Sequence, residues 1–537
     1  MRFSRMTNPG RFLPLVLLVA VSSHTPVPSL AQSSLGQSNG EDEINASIHK
    51  FSQVYGAIEA NFADKVDPDT AVYRGAIPGM LRTLDPHSAF YDPKSWQLMR
   101  EGQSGHYYGV GMLIGAPRNE VVVMYPFEGS PAYRAGIRPG DHIVEVNDQK
   151  ITKPDTSIVS GLLKGPRGTT AVIKVRRVGT PDPLSFTVVR DIVPRDSVNY
   201  AFWIQPGIAY MKIEAFNETT SHEVDRALAK LDESQIQGLI LDLRNNPGGL
   251  VHEAVNVADR FLHKGQVIVS HHGRASTEQK FTAPKGERGP EYPMVVLVNR
   301  GTASAAEIVS GALQDHDRAV ILGENTFGKG LVQAPFPVTG NGALMLTIAK
   351  YYTPSGRLIQ RDYEHRSFYE YYSRNEGHSN EKDMKKTDGG RTVFGGDGIS
   401  PDQHFFDPKL DQLQRQLLGR SLFFFYGPEF FAKHPAKMEK SWTPDNAILE
   451  DFKNYASAHK TDFTPEEWNK DRTWIADRLR EELFVTAFSK EQSDRLVLEN
   501  DPEIRKGVDA LPSAKALLDK TRETLAKQSH PGGLQDR

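Results

Sequence analysis

The sequence predicts a multidomain α+β protein with an N-terminal helical segment, a small β-rich domain, an α/β core and a mainly helical C-terminal extension. Three observations predict it. The chain has 537 residues, enough at ~100–200 residues per domain for three or four separate cores. Residues 105–195 are short apolar runs broken by Gly and Asn-Asp turns, the pattern of a small β domain with one or two helices. From residue 196 apolar runs alternate with helix-spaced patterns, as in a layered α/β domain. Composition narrows the function further. With 64 Lys+Arg against 67 Asp+Glu and a formal net charge of −3, nothing points to nucleic acid, and no low-complexity bias points to disorder. The absence of Cys excludes disulfides, thiolate nucleophiles and thiolate metal sites, so a covalent nucleophile has to be Ser, Thr, Lys or a carboxylate.

Residues 1–31 read as a secretory signal peptide. Arg2, Arg5 and Arg11 precede the apolar residues 12–21, a run short against the ~20 residues of a spanning helix, and Ser29-Leu30-Ala31 suits a cut after Ala31. An uncleaved anchor is the other use of the same segment. Cleavage removes three Arg and no other formal charge, taking the mature chain from −3 to −6. An exported chain without Cys suits a bacterial periplasm and cores large enough to need no disulfide staples. Residues 32–104 form a linker and the helical segment, with Ile44, Ile48, Phe51, Val54 and Ile58 at helical spacing and a second such pattern over 71–84.

Within 105–195, Tyr108-Gly109-Val110-Gly111 opens an apolar run and residues 121–125 follow. Ala135-Gly136-Ile137-Arg138-Pro139-Gly140-Asp141 then precedes a strand at 143–146, a turn at Asn147-Asp148, a helix near 156–163 and a strand at 171–178. The order of these pieces resembles a PDZ domain, with Tyr108, Gly109, Val110 and Gly111 in place of its carboxylate-binding loop. The resemblance implies a glycine loop that offers backbone N–H groups to a free terminal carboxylate, beside a sheet edge that takes up peptide as an added strand. The plainer reading is that these glycines only shape the turns of a small barrel.

The core, residues 196–406, has strand candidates at 238–243, 266–270, 294–298 and 319–322, a helix over 251–262, and an antiparallel pair at 332–338 and 343–351. The polar interval 361–390 reads as an excursion or mobile loop. From 407 to 537 the pattern is helical, with a capping-box start at Thr464-Pro465-Glu466-Glu467 and Trp468, Ile475, Leu479 and Leu483 on one face. These helices are either a packed appendage or a surface for self-association or partner docking.

The chemistry gathers in three segments. The strand at 294–298 runs into Asn299-Arg300-Gly301-Thr302-Ala303-Ser304-Ala305-Ala306-Glu307-Ile308, so Ser304 stands at a helix N-terminus, either as a plain cap or as a nucleophile beside N–H groups at the positive end of the dipole. Thr326-Phe327-Gly328-Lys329-Gly330 sets a lysine between glycines and apolar strands. Lys329 is either an ordinary surface lysine or one desolvated among apolar groups, which loses affinity for its proton and can serve as general base for a serine hydroxyl, with Gln333 four residues on able to hold the amine. The turn Arg244-Asn245-Asn246-Pro247-Gly248-Gly249 follows a buried-strand pattern and offers a further N–H.

Together these segments resemble the carboxyl-terminal processing proteases, or tail-specific proteases, which are Ser/Lys endopeptidases carrying a PDZ domain. Tyr351-Tyr352-Thr353-Pro354-Ser355-Gly356-Arg357, Gly398-Ile399-Ser400-Pro401-Asp402 and Leu84-Asp85-Pro86-His87-Ser88 extend the likeness over roughly residues 44–402. The resemblance implies a crotonase-like α/β protease core, Ser304 as nucleophile, Lys329 as general base, Gln333 orienting it, and an oxyanion site between the N–H of Ala305 and that of Gly248 or Gly249. It implies polypeptide substrates with free, apolar C-terminal tails, and no cofactor or metal. The 17 His contain no HExxH arrangement, and His316 reads as a solvated helix end. The alternative is a catalytically idle periplasmic PDZ peptide-binding or scaffold protein; an acyl-CoA hydratase-type enzyme is opposed by export and by the PDZ segment. Beyond residue 407 and within 361–390 the chain departs from the family pattern.

Overall fold

The computed structural model describes residues 37–285, 292–365, 367–372, 380–434 and 438–529. The leader at 1–31 lies outside the described residues. The chain divides into two units, 1–75 and 76–537. In the first, the helix Gln37–Asn61 carries Ile44, Ile48, Phe51, Val54 and Ile58 exposed along one face, as their spacing predicts. No helix among the described residues is long and apolar enough to cross a membrane.

The second unit opens with the helices Ile77–Arg82 and Pro93–Gln103, the latter capped by Asp92 and started by a proline. The β-rich domain follows as expected. Its main sheet runs in the order Met112–Gly115, Val122–Pro126, His142–Val146, Thr170–Arg176, Leu184–Val189, and His106–Gly109 pairs separately with Asp191–Pro194. The helix Thr156–Leu163 starts where Asp155 accepts from the N–H groups of Ser157 and Ile158, at 2.9 and 3.1 Å. It buries Val159 and Leu163 against Val123, Ile143, Val146 and Ile173.

The core is built on a six-stranded sheet in the order Tyr200–Gln205, Ile208–Lys212, Gly238–Asp242, Met294–Val298, Val320–Gly323, Gln403–His404, antiparallel in its first pair and parallel in the rest. The strands Gly238–Asp242, Met294–Val298 and Val320–Gly323 are buried at every position because both faces of the sheet are covered. Leu239, Leu241, Met294, Val296 and Val298 face the helices Thr220–Lys230, Val251–Asp259 and Ala305–Asp315. Ile240, Val295, Leu297, Val320 and Leu322 face Ile504, Ala510, Leu511 and Ala514 of the last helix, Pro502–Ser529. The C-terminal extension is therefore no mere appendage: its final helix closes the second face of the sheet. A second, five-stranded sheet joins Ala89–Tyr91, Val267–Gly273, Ser276–Thr282 and the hairpin Leu331–Val338/Gly342–Tyr352. Pairing of Ala89–Tyr91 with residues 343–345 carries the preceding residues 85–88 to the hairpin.

The remaining C-terminal helices, among them Leu422–Lys433, Asn446–Ala458 and Pro465–Ala487, share a separate aromatic core around Phe423, Phe452, Trp468 and Leu479. The capping box at Thr464 forms as the sequence predicts, Glu467 accepting from Thr464 N–H at 2.8 Å. The PDZ-like domain leans on these helices. The Arg118 guanidinium lies 3.8 Å from the centre of the Phe425 ring, Ser489 donates to Glu128 at 2.9 Å, and a Cβ on Gly140 would stand 2.3 Å from Pro428 Cγ.

Candidate active site

Ser304 follows the buried strand Met294–Val298 and precedes the helix Ala305–Asp315, at the carboxyl end of the parallel strands where open α/β sheets place their ligands. Its backbone is strained, with φ 56° and ψ −116°. Glu307, fully buried on the first turn, holds that geometry: its Oε2 accepts from Ser304 N–H at 2.8 Å and from Lys329 N–H at 2.9 Å, and its Oε1 from Gly328 N–H at 2.7 Å and the Thr326 hydroxyl. One carboxylate oxygen thus ties the backbones of Ser304 and Lys329 together. Burial pushes the Glu307 carboxyl up while these donors pull it back. Tyr351, also buried, donates its hydroxyl to Ser304 C=O at 3.0 Å.

The Lys329 ammonium, half-buried, donates to Gln333 Oε1 at 2.8 Å, and Gln333 Nε2 donates to His87 C=O at 2.8 Å. Burial lowers the Lys329 pKa, against the opposing pull of Glu307 and Asp85. His87 is pushed down to about 4, by burial first and the charge of Lys329 second. Asp85 fixes this segment by accepting from His87 N–H at 2.8 Å and from the Ser88 N–H and hydroxyl at 2.7 and 2.6 Å.

The glycine turn closes on the serine. A Cβ on Gly248 (φ 96°) would lie 2.8 Å from Ser304 Cβ and 2.9 Å from Ala305 N, so only glycine fits. Gly248 N–H donates to Asn246 Oδ1 at 2.8 Å, and Gly248 C=O accepts from Phe216 N–H at 3.0 Å. The N–H of Gly249, across a trans peptide from that carbonyl, therefore points away from Phe216. Ala305 N–H belongs to the first helical turn, whose donors have no partner within the helix.

In the PDZ-like domain, Val110 C=O accepts from Ala132 N–H at 2.7 Å, and Gly111 C=O accepts from Phe127 N–H and the Ser130 hydroxyl at 3.1 and 2.7 Å. The N–H groups of Gly111 and Met112, opposite those carbonyls, turn the other way. Tyr107, Val110, Gly111, Met112, Leu163 and Lys164 line a cleft of ≈ 40 Å³ there, small against the ~300 Å³ of a ligand pocket. Gly109 packs on the Tyr107 ring, and Tyr108 is exposed. Lys164 lies over the Tyr107 ring at 4.9 Å and pairs with Glu101 at 2.6 Å.

With this geometry in hand, comparison with known proteins is decisive. The model for peptidase family S41 matches residues 207–364, that for a PDZ domain matches 122–177, and that for the activating protease CtpB N-terminal domain matches 19–95. The chain is 35% identical over 355 residues to a carboxy-terminal-processing protease of Bartonella bacilliformis, covering 65% of this chain and 78% of that one. It is 33% identical to the carboxy-terminal processing protease CtpA of Bacillus subtilis, covering 65% and 74%. A carboxyl-terminal-processing protease of Synechocystis is 36% identical, over 53% and 68%. The chain belongs to the carboxy-terminal processing proteases of peptidase family S41.

In this serine protease the motifs that carried the likeness have separate structural duties. Arg357, fully buried, donates to Asp315 Oδ1 at 2.6 Å and Gln314 Oε1 at 2.7 Å and so fastens the far end of the serine helix. Ile399 N–H donates to the Thr326 hydroxyl at 2.6 Å and braces the lysine loop. Sequence reasoning missed Glu307, Tyr351, His87 and Tyr371 as site residues. The spacing Ser304-x-x-Glu307 is a signal that could have marked Glu307 as part of a helix start, but its reach to the lysine loop has no local sign. Two readings are corrected. His316 is not a solvated helix end but a buried ring, 2.7 Å from both Asp388 Oδ2 and Val267 C=O. The interval 361–390 is in part built into the core: the helix Phe368–Tyr372 buries Tyr371, whose hydroxyl is 2.7 Å from His87 Nε2, and Asn380–Lys386 pairs with Thr392–Gly395. Its aromatic residue finds Phe327 and Arg361, which a count of polar residues does not reveal.

Proposed function

We propose that this chain is an exported endopeptidase that reads substrate C-terminal tails and works through a Ser304–Lys329 dyad. The neutral amine of Lys329, oriented by Gln333, takes the proton from Ser304 Oγ as that oxygen bonds to the peptide carbonyl carbon. The proton passes to the departing amine, the C–N bond breaks, and water hydrolyses the acyl-enzyme by the same relay. The N–H groups of Ala305 and Gly249 stabilise the oxyanion; Gly249 is preferred because the Gly248 N–H is already given to Asn246. The observation that carries the reading is the shared Glu307 oxygen, which a catalytically idle scaffold has no need of.

The loop Tyr108-Gly109-Val110-Gly111 receives the free carboxylate of an apolar tail on its backbone N–H groups. Export to the periplasm after cleavage near Ala31 belongs to the same reading, as does self-association or partner docking through residues 407–537, which sedimentation of the mature chain tests.

The deciding experiment is mass spectrometry of an unstructured protein with an apolar tail, incubated with the mature chain, Ser304→Ala or Lys329→Ala. Cleavage by the unaltered chain alone, slowed by amidation of the tail, is the expected result. Cleavage that survives Ser304→Ala overturns the mechanism, and none by any of the three favours the peptide-binding scaffold.

A further inference from the structure

The turn that supplies the oxyanion glycines is anchored from the far end of the chain. Arg244, at its start, is mostly buried and gives its guanidinium to three carboxylates. Nε donates to both Asp242 oxygens at 3.0 Å, Nη2 reaches Asp242 at 2.6 Å and Asp501 at 2.9 Å, and Nη1 donates to Glu503 at 2.6 Å. Asp501 and Glu503 open the last helix, where Asp501 accepts from Glu503 N–H at 2.7 Å and from Ile504 N–H at 3.2 Å.

We propose that Arg244, held by Asp501 and Glu503, is a positioning residue for the oxyanion turn, and that the start of the C-terminal helix is thereby a working part of the active site. The inference rests on the Ser304–Lys329 reading above. From Arg244 the backbone runs as one braced block to the serine. Leu243 C=O accepts from the Thr302 hydroxyl at 2.8 Å, Asn245 N–H donates to Asn299 Oδ1 at 2.9 Å, Asn246 Nδ2 donates to Ile213 C=O at 2.8 Å, and Asn246 C=O accepts from Ala303 N–H at 2.9 Å. A displacement of Arg244 therefore passes to Gly248 and Gly249. Without the cation, Asp242 and Asp501 face each other unscreened across the joint between sheet and helix, and Glu503 is left buried without its partner. Burial pushes the Glu503 carboxyl up to about 7 against the pull of Arg244.

The experiment is steady-state hydrolysis of a quenched-fluorescence peptide by the full mature chain carrying Glu503→Gln, Arg244→Gln or both, with Asp519→Asn on the exposed side of the same helix as control. Loss of oxyanion alignment should lower kcat roughly ten- to a hundredfold with KM unchanged. The double variant should be no slower than Arg244→Gln alone, because Glu503 acts through Arg244. Should Arg244→Gln fail to fold, Glu503→Gln paired with Asp501→Asn carries the test. An unchanged kcat, additive losses, or a loss matched by the folded fraction in near-ultraviolet circular dichroism overturns the clamp. Activity that persists in Ser304→Ala instead overturns the underlying dyad, so the two failures are distinguishable.

Discussion

Lys329 is a cation placed where keeping its proton is costly. Burial lowers its pKa from the ordinary 10.5, and Gln333 fixes the amine rather than neutralising it. On the proposed mechanism the neutral base accumulates as pH rises through the lowered pKa, so the cleavage rate should climb with pH and level off below the ordinary lysine range. The same shift means the folded chain binds fewer protons here than the unfolded one between the two pKa values, so this group makes stability rise with pH over that window. A pH series of single-turnover rates checks the first statement; a maximum in acid with decline through neutrality contradicts it. Lys329→Arg, which keeps the charge, should be inactive at every pH.

At the scale of the element, the serine helix Ala305–Asp315 is fastened at both ends, by Glu307 and Tyr351 at its start and by Arg357 at its finish. Its start signal was legible, since Ser304-x-x-Glu307 is a capping box before an apolar run. What the box conceals is that the Glu307 carboxylate serves four donors from two segments. Glu307→Gln replaces one acceptor oxygen by an NH2 that faces donors, whichever way the amide is turned. It should cost roughly 2–4 kcal/mol of stability and at least tenfold in rate, because Ser304 and Lys329 lose their common tether. Urea denaturation and rates normalised to the folded fraction check both; an isostable, fully active variant contradicts the role given to Glu307.

At the scale of the whole molecule, the C-terminal extension completes the core that precedes it. Ile504, Leu511 and their neighbours cover a sheet face bearing Ile240, Val295, Leu297 and Leu322, and each such apolar side chain contributes roughly 1.5–3 kcal/mol by burial. A chain ending at residue 406 should therefore aggregate or lose its near-ultraviolet circular dichroism, not become an unregulated protease. A soluble, folded, fully active truncation would show that the helices are dispensable. The contacts of Arg118, Glu128 and Gly140 with the same extension hold the PDZ domain to it, so the extension touches both the substrate-reading and the cutting parts of the chain.

The sequence by itself determined the order of the domains, the principal strands and helices of the core, where Ser304 meets its helix, and which glycine turns come near the chemistry. Those features are local: a period of 2 or 3.6, a cap or a glycine declares which face is buried and where an element begins. Only the tertiary structure decided that Glu307 binds Ser304 and Lys329 at one oxygen, that His87 steadies Gln333, that Tyr371 is drawn in beside them, and that Glu503 holds Arg244. These contacts join residues whose approach depends on the order of the parallel strands and on the pairing of Ala89–Tyr91 with the hairpin. Periodicity encodes faces and not partners, so the residues that aim the site were readable as structure and unreadable as neighbours.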